Sequence, residues 1–280
     1  MLFRAMIQGE EADDSFYQVY WAHGDHLGDA LPRIRAEARD NGVEAPVFVN
    51  ADPFDIENLP DELGDVSGQD VFSTGRIYFP RTETFEFPCG IVPSWVEGPH
   101  DPQEIRDGYA VNRAADGMVK IEVNVSGPKL RPLYYALIRE WGDFRVFWYR
   151  IHTDYEHSEQ GEMMVNETLS TAEAIIDHLE ANALDSLDNG LCTLTAYVPE
   201  GGTNLNISDH KKIVVLTYDE ANAARAIKFL DSHGYEKTEP FLTIDADMHH
   251  RHYRPEGSRD RPSLIEHLTA QGFKPWQPNG

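Results

Sequence analysis

The sequence predicts an α+β fold, a mainly antiparallel sheet with helices packed on one face, arranged in two lobes. Three observations carry this. Residues 118–125 alternate apolar and polar positions (Val119, Ile121, Val123, Val125), as a half-buried strand does. Ile175, Ile176, Leu179 and Ala183 recur at helical spacing behind the capping-box residues Ser170 to Glu173. Pro199-Glu200-Gly201-Gly202 separates two strand-like runs, 191–198 and 204–207, as a hairpin turn does.

The elements follow in order. Residues 16–21 (Phe-Tyr-Gln-Val-Tyr-Trp) are aromatic and β-branched, which suits a strand. The turn-rich Ala22-His23-Gly24-Asp25-His26 comes next, and a helix is expected from Asp29. Pro32 fits its first turn, Leu31, Ile34 and Ala38 share a side, and Asn41-Gly42 stops it. Residues 46–49 read as a short strand, 51–70 as an acidic loop and 71–79 as a second strand. Five prolines and four glycines make 80–117 irregular, while Phe85, Phe87, Trp95 and Tyr109 argue that it packs against the body. A boundary near Asp116-Gly117 divides an acidic N-terminal lobe, 1–117, from a C-terminal lobe, 118–280.

In the second lobe a helix is expected over 130–141, a strongly aromatic strand over 144–151 and an apolar strand over 213–216. Asp219 is the natural N-cap of a helix through Ala223, Ile227 and Leu230. Residues 226–235 are echoed by 264–273, the second copy following its own capping box, Ser263 to Glu266; each pairs an amphipathic helix with a glycine stop and a returning aromatic.

Composition narrows the function. The 280 residues hold 24 Lys+Arg against 48 Asp+Glu, a net charge of -24. So negative a surface repels nucleic-acid phosphates and anionic membranes. No run nears the ~20 apolar residues of a membrane span, and residues 1–14 lack the apolar core of a signal peptide. A soluble, cytoplasmic protein is expected. Cys89 and Cys192 are too few for a disulfide framework and read as free thiols.

Half of the net charge lies in residues 1–70, which carry 16 acids and 4 arginines; 51–70 hold seven acids and no base. Such a patch can dock a basic protein, with Asp52, Asp55, Glu57, Asp61, Glu62 and Asp65 as contacts and Phe54 as an apolar anchor. The alternative is compositional, since 7 lysines stand against 17 arginines, a bias that a GC-rich or salt-adapted genome also produces.

The nucleotide-binding glycine loops, H-E-x-x-H and G-x-S-x-G are absent. The densest chemical run is Asp245-Ala246-Asp247-Met248-His249-His250-Arg251-His252. Read as the end of a strand from Phe241, it places Asp245, Asp247 and His249 on one face, where they suit a divalent metal such as zinc or manganese if His23 and His26 complete the set. His152, Asp154, Glu156 and His157 form a weaker acid–base constellation, and Arg145 and Arg150 stand among aromatics where they can pair with carboxylates or stack.

The stretch 218–235, a capped helix leaving through Gly234-Tyr235, resembles the helix exit of acetyltransferases and of glyoxalase-like metal enzymes. It lacks the former's phosphate-cradling glycine loop and the latter's placed His and Glu ligands, so no site residue carries over. The acidic α+β layout is similar to that of bacterial immunity proteins, without a shared motif. Three expectations result: a protein-binding module of the inhibitor or immunity type that docks a basic partner and needs no cofactor; a metal-dependent, hydrolase-like enzyme; and a DNA-mimicking blocker of nucleic-acid-binding proteins.

Overall fold

A computed structural model describes residues 1–63, 66, 68–81, 84–96, 98–152 and 161–276. It is an α+β protein built on antiparallel sheets. Strands β1 (Leu2–Glu11) and β2 (Asp14–His23) form a hairpin in unbroken register from Leu2↔His23 to Glu11↔Asp14. β3 (Val47–Phe54) flanks β1, while β4 (Val71–Ser73) and β5 (Ile77–Pro80) both pair with β2. Phe3, Ala5 and Ile7 of β1 and Phe16, Tyr20 and Ala22 of β2 form one apolar face. Helix α1 (Leu27–Asp40) lays Leu27, Ala30, Leu31, Ile34 and Ala38 on it.

The second sheet has eight strands. β6 (Ile91–Pro93) lies outside it, and β7 (Gly108–Arg113) forms one edge, next to β8 (Val119–Asn124). β9 (Val146–Ile151), β10 (Glu162–Asn166), β11 (Cys192–Val198), β12 (Thr203–Ile207) and β13 (Ile213–Thr217) fill the middle in the order β10-β9-β11-β12-β13. The short β15 (Lys274–Pro275) closes the far edge on β10.

Period-two alternation decides which face is covered. Ile121, Phe147, Tyr149, Leu194, Ala196, Leu205 and Val215 all point one way. On them pack α2 (Gly127–Trp141), α3 (Ala172–Ala181), α4 (Glu220–Ser232) and α6 (Arg261–Ala270). A short helix α5 (Ile244–Asp247) and the strand β14 (His250–His252) lie apart from this core, and β14 pairs with β6. None of the described helices is long and apolar enough to cross a membrane.

Several boundaries differ from the sequence reading, each for a local reason. β1 goes unanticipated, although Phe3, Ala5 and Ile7 alternate with Arg4, Met6 and Gln8. β3 runs through Pro53 to Phe54 because it is an edge strand, where a missing N–H costs no ladder bond. The 71–79 run divides around Gly75. Thr171 rather than Ser170 caps α3, and Asp260 rather than Ser263 caps α6, each accepting a first-turn N–H. β7, which precedes Gly117, belongs to the eight-stranded sheet. The largest correction concerns 241–249: residues 244–247 form a helical turn and the strand starts only at His250.

Two glycines bring the segments before β6 and β11 into close contact. Gly90 and Gly190 approach so closely that a Cβ on Gly190 would stand 1.9 Å from the Gly90 carbonyl oxygen. Tyr253 threads beside both: its N–H donates to Gly90 and its carbonyl accepts from Gly190. Gly190→Ala is expected to lower stability by about 3 kcal/mol or more, because backbone must move to admit the methyl. Gly75→Ala, with no heavy atom within 4 Å of the new Cβ, should be near neutral; chemical denaturation of both variants checks the contrast.

His178 sets an acid limit. It packs among Phe147, Tyr149 and Phe273, and burial, aided by nearby His267, pushes it down to about 4. The unfolded chain takes up this proton near pH 6.5 and the folded protein does so only near 4, so stability is full above 6.5 and is lost as pH falls through this window. The melting temperature is expected to drop between pH 7 and 5, and less so in His178→Gln.

Candidate functional site

β14 is three residues long, and its two faces do different work. His250 and His252, two apart, share one face. Arg251, between them, points the other way, where its Nε donates to Asp52 of β3 at 2.7 Å. The hairpin loop between β12 and β13 brings a third imidazole, His210, to the first face, with ring centroids 4.9 and 4.7 Å from those of His250 and His252. Each of the three offers a ring nitrogen lying within 4.8 Å of the others. All three are half-buried.

The tautomers follow from the hydrogen bonds. His250 Nδ1 lies 3.1 Å from the Met248 carbonyl oxygen and His252 Nδ1 lies 2.7 Å from that of Gly190. Carbonyls only accept, so each Nδ1 carries its proton and each Nε2 keeps a lone pair. Those two Nε2 atoms face each other at 3.1 Å. With both Nδ1 protons committed, two neutral rings have no proton left to share across that gap. A cation is what such a pair accommodates. Two nitrogens on one tetrahedral zinc, each at 2.0–2.1 Å from it, stand about 3.3 Å apart.

His210 is oriented in the same manner, its Nδ1 lying 3.0 Å from Asp209 Oδ1, which leaves Nε2 free. An imidazole whose Nδ1–H is tied to a carboxylate or carbonyl is the usual support of a metal-ligating Nε2. Asp209 in turn has its second oxygen 3.8 Å from His152 Nδ1, and His152 Nε2 meets Thr193 Oγ1 at 2.8 Å.

The electrostatics agree with neutral imidazoles beside a carboxylate. Burial pushes His252 down to about 4, with His210 and His250 adding to the effect against the pull of Gly190 and Asp209. Burial also lowers His250. Burial works to raise Asp209, but its bond to His210 and the proximity of His152 and His252 hold it well below the usual carboxylate range. Lys211, 1% exposed, donates to the Asn189 carbonyl at 2.6 Å and so braces the loop that presents Gly190.

The residues singled out from sequence are dispersed. Asp245 forms an ion pair with Lys212 at 2.8 Å, which also holds Glu122. Asp247 accepts the Thr243 N–H at 2.7 Å, across the helical turn. His249 is exposed one position before β14, off the face of His250 and His252. His26 begins α1 beside Asp29, and His23 is exposed at the end of β2. Within the 245–252 run, the strand holds only His250, Arg251 and His252, so the alternate residues expected on one face, Asp245, Asp247 and His249, do not share it. His210, 40 residues away in another hairpin, carries no local signal.

The acidic stretch also separates. Asp52 is buried at 6% exposure, accepting from the Ser94 hydroxyl and the Trp95 N–H as well as from Arg251. Phe54 packs edge-on against Trp21. Asp55 accepts the Glu57 N–H, and Asp55, Glu57 and Asp61 remain exposed. Glu62 is described by its backbone alone, and Asp65, Asp154, Glu156 and His157 lie outside the described residues. Arg145 and Arg150 flank and occupy β9, whose Trp148 lies near Tyr197.

The chain matches no protein-family model, no curated protein and no solved structure.

Asp52→Ala should act on stability, because Ser94, Trp95 and Arg251 lose one shared acceptor. A cost of about 1–3 kcal/mol is expected in urea titrations, against less than about 0.5 kcal/mol for Glu57→Ala on the surface.

Proposed function

We propose that this protein is a zinc-dependent enzyme of the hydrolytic type, its metal held by His210, His250 and His252. The observation that carries this reading is the pair of Nε2 atoms facing each other at 3.1 Å while both Nδ1 protons are engaged by backbone carbonyls. Three imidazoles with oriented Nδ1 groups provide a nitrogen set that suits zinc. Three protein ligands leave a fourth position, and zinc so held supplies an activated water at neutral pH. The chain's own contributions are distinct. Asp209 orients His210, the Met248 and Gly190 carbonyls fix the tautomers, and His152 stands beside Asp209 at the rim.

A second reading draws on the origin of the ligands. His210 belongs to the eight-stranded sheet and His250 and His252 to β14, so a metal joining them also pins the sheets together. Docking of a basic protein draws less support, since Asp52 spends its charge internally, leaving Asp55, Glu57 and Asp61 exposed.

The test uses the untagged chain, stripped by chelator, reloaded with zinc and dialysed. Stoichiometric zinc by elemental analysis is expected, with loss in His210→Ala and in the His250→Ala, His252→Ala double variant. Asp209→Asn should weaken zinc about 10–100-fold in chelator competition. Failure of the natural chain to retain zinc overturns the proposal. Zinc-dependent turnover of chromogenic esters or phosphoesters supports the enzyme; a zinc-dependent rise in melting temperature without turnover on these substrates favours the pin.

A further inference from the structure

A cleft of about 690 Å³ opens between the sheets, lined by none of the three imidazoles, and it lies within the size range of small-molecule sites. α1 and Phe48 form one wall, the start of α2 another, and the segments at 86–92 and 253–255 the floor. Leu31, Phe48, Phe87, Val92, Leu130 and Leu187 make the lining largely apolar.

One cationic group in it has no ion pair among the described residues. This is Arg35, which extends from α1 over the Phe48 ring, 5.0 Å from its centroid. The other arginine of the cleft, Arg131, is already paired with Asp188. Tyr135 is 8% exposed, and burial together with its contact to Glu180 raises its pKa.

We propose that the cleft binds a small apolar monoanion, an aromatic or alkyl carboxylate or sulfonate, with its charge on Arg35. The apolar lining selects the body of the ligand and the guanidinium its head. Glu86 and Glu180, also in the lining, oppose a second negative charge. The site is independent of the zinc reading.

The probe is 1-anilinonaphthalene-8-sulfonate, added to the full chain. Saturable, stoichiometric fluorescence enhancement is expected, with displacement by decanoate and not by decylammonium. Arg35→Glu should weaken the probe at least about tenfold, as loss of a charged hydrogen-bonding partner does, while Arg35→Lys keeps most of the affinity. Near-ultraviolet circular dichroism and a cooperative melt certify that each variant is folded. Non-saturating binding, equal displacement by decylammonium, or a folded Arg35→Glu variant with unchanged affinity overturns the proposal. If Arg35→Glu does not fold, the decanoate and decylammonium competition on the natural chain decides alone.

Discussion

β14 sits between the two large sheets and gives each of them a different chemistry. Its outward arginine goes to Asp52 on β3 of the first sheet, and its paired histidines go to the turn of the second. Arg251–Asp52 is a contact 199 residues apart in the chain, closed over a carboxylate with the buried Ser94 hydroxyl and the Trp95 N–H already on it. The next residue, Tyr253, locks onto Gly90 and Gly190 by backbone alone. The placement of the imidazoles, and of the cleft floored by Tyr253, depends on this one short strand staying in register.

The imidazole cluster is consistent with that scaffold. A carbonyl on Met248, a carbonyl on Gly190 and a carboxylate on Asp209 each hold an Nδ1, so the ring orientations are set by three separate chain segments. Such outer support is what makes a metal site stiff. Around it the strong negative charge of the chain is locally compensated: Lys212 reaches both Glu122 and Asp245, and Arg259 reaches Asp185. The -24 of the whole molecule is therefore a property of its surface more than of its centre.

Much of the architecture was legible in the residues. β8, β9, β11, β12 and β13 appear where alternation or an aromatic run places them, and Asp219 caps α4 as its position indicates. The glycine stops at Gly42, Gly234 and Gly272 all take positive φ. Local capping competes over one to three residues, which is why Thr171 and Asp260 displaced the neighbours expected to cap. The candidate site was legible in half. The Asp–His run at 245–252 stood out, but a strand and a helical turn assign its alternate residues to opposite faces, and only packing against β6 selects the strand from His250 onward.

Local pattern determined the class of this protein, its antiparallel strands, its capped helices and its excess of carboxylates, because propensity, period and charge are written within a few residues of each other. Tertiary structure alone decided which acids face water and which histidines meet. Asp52 and Asp55 stand in one acidic run, yet the first is buried beneath Arg251 and the second caps an exposed turn. His210 reaches His250 and His252 only because β14 and the β12–β13 hairpin are folded onto each other, and contacts across 40 residues of chain have no signature in spacing.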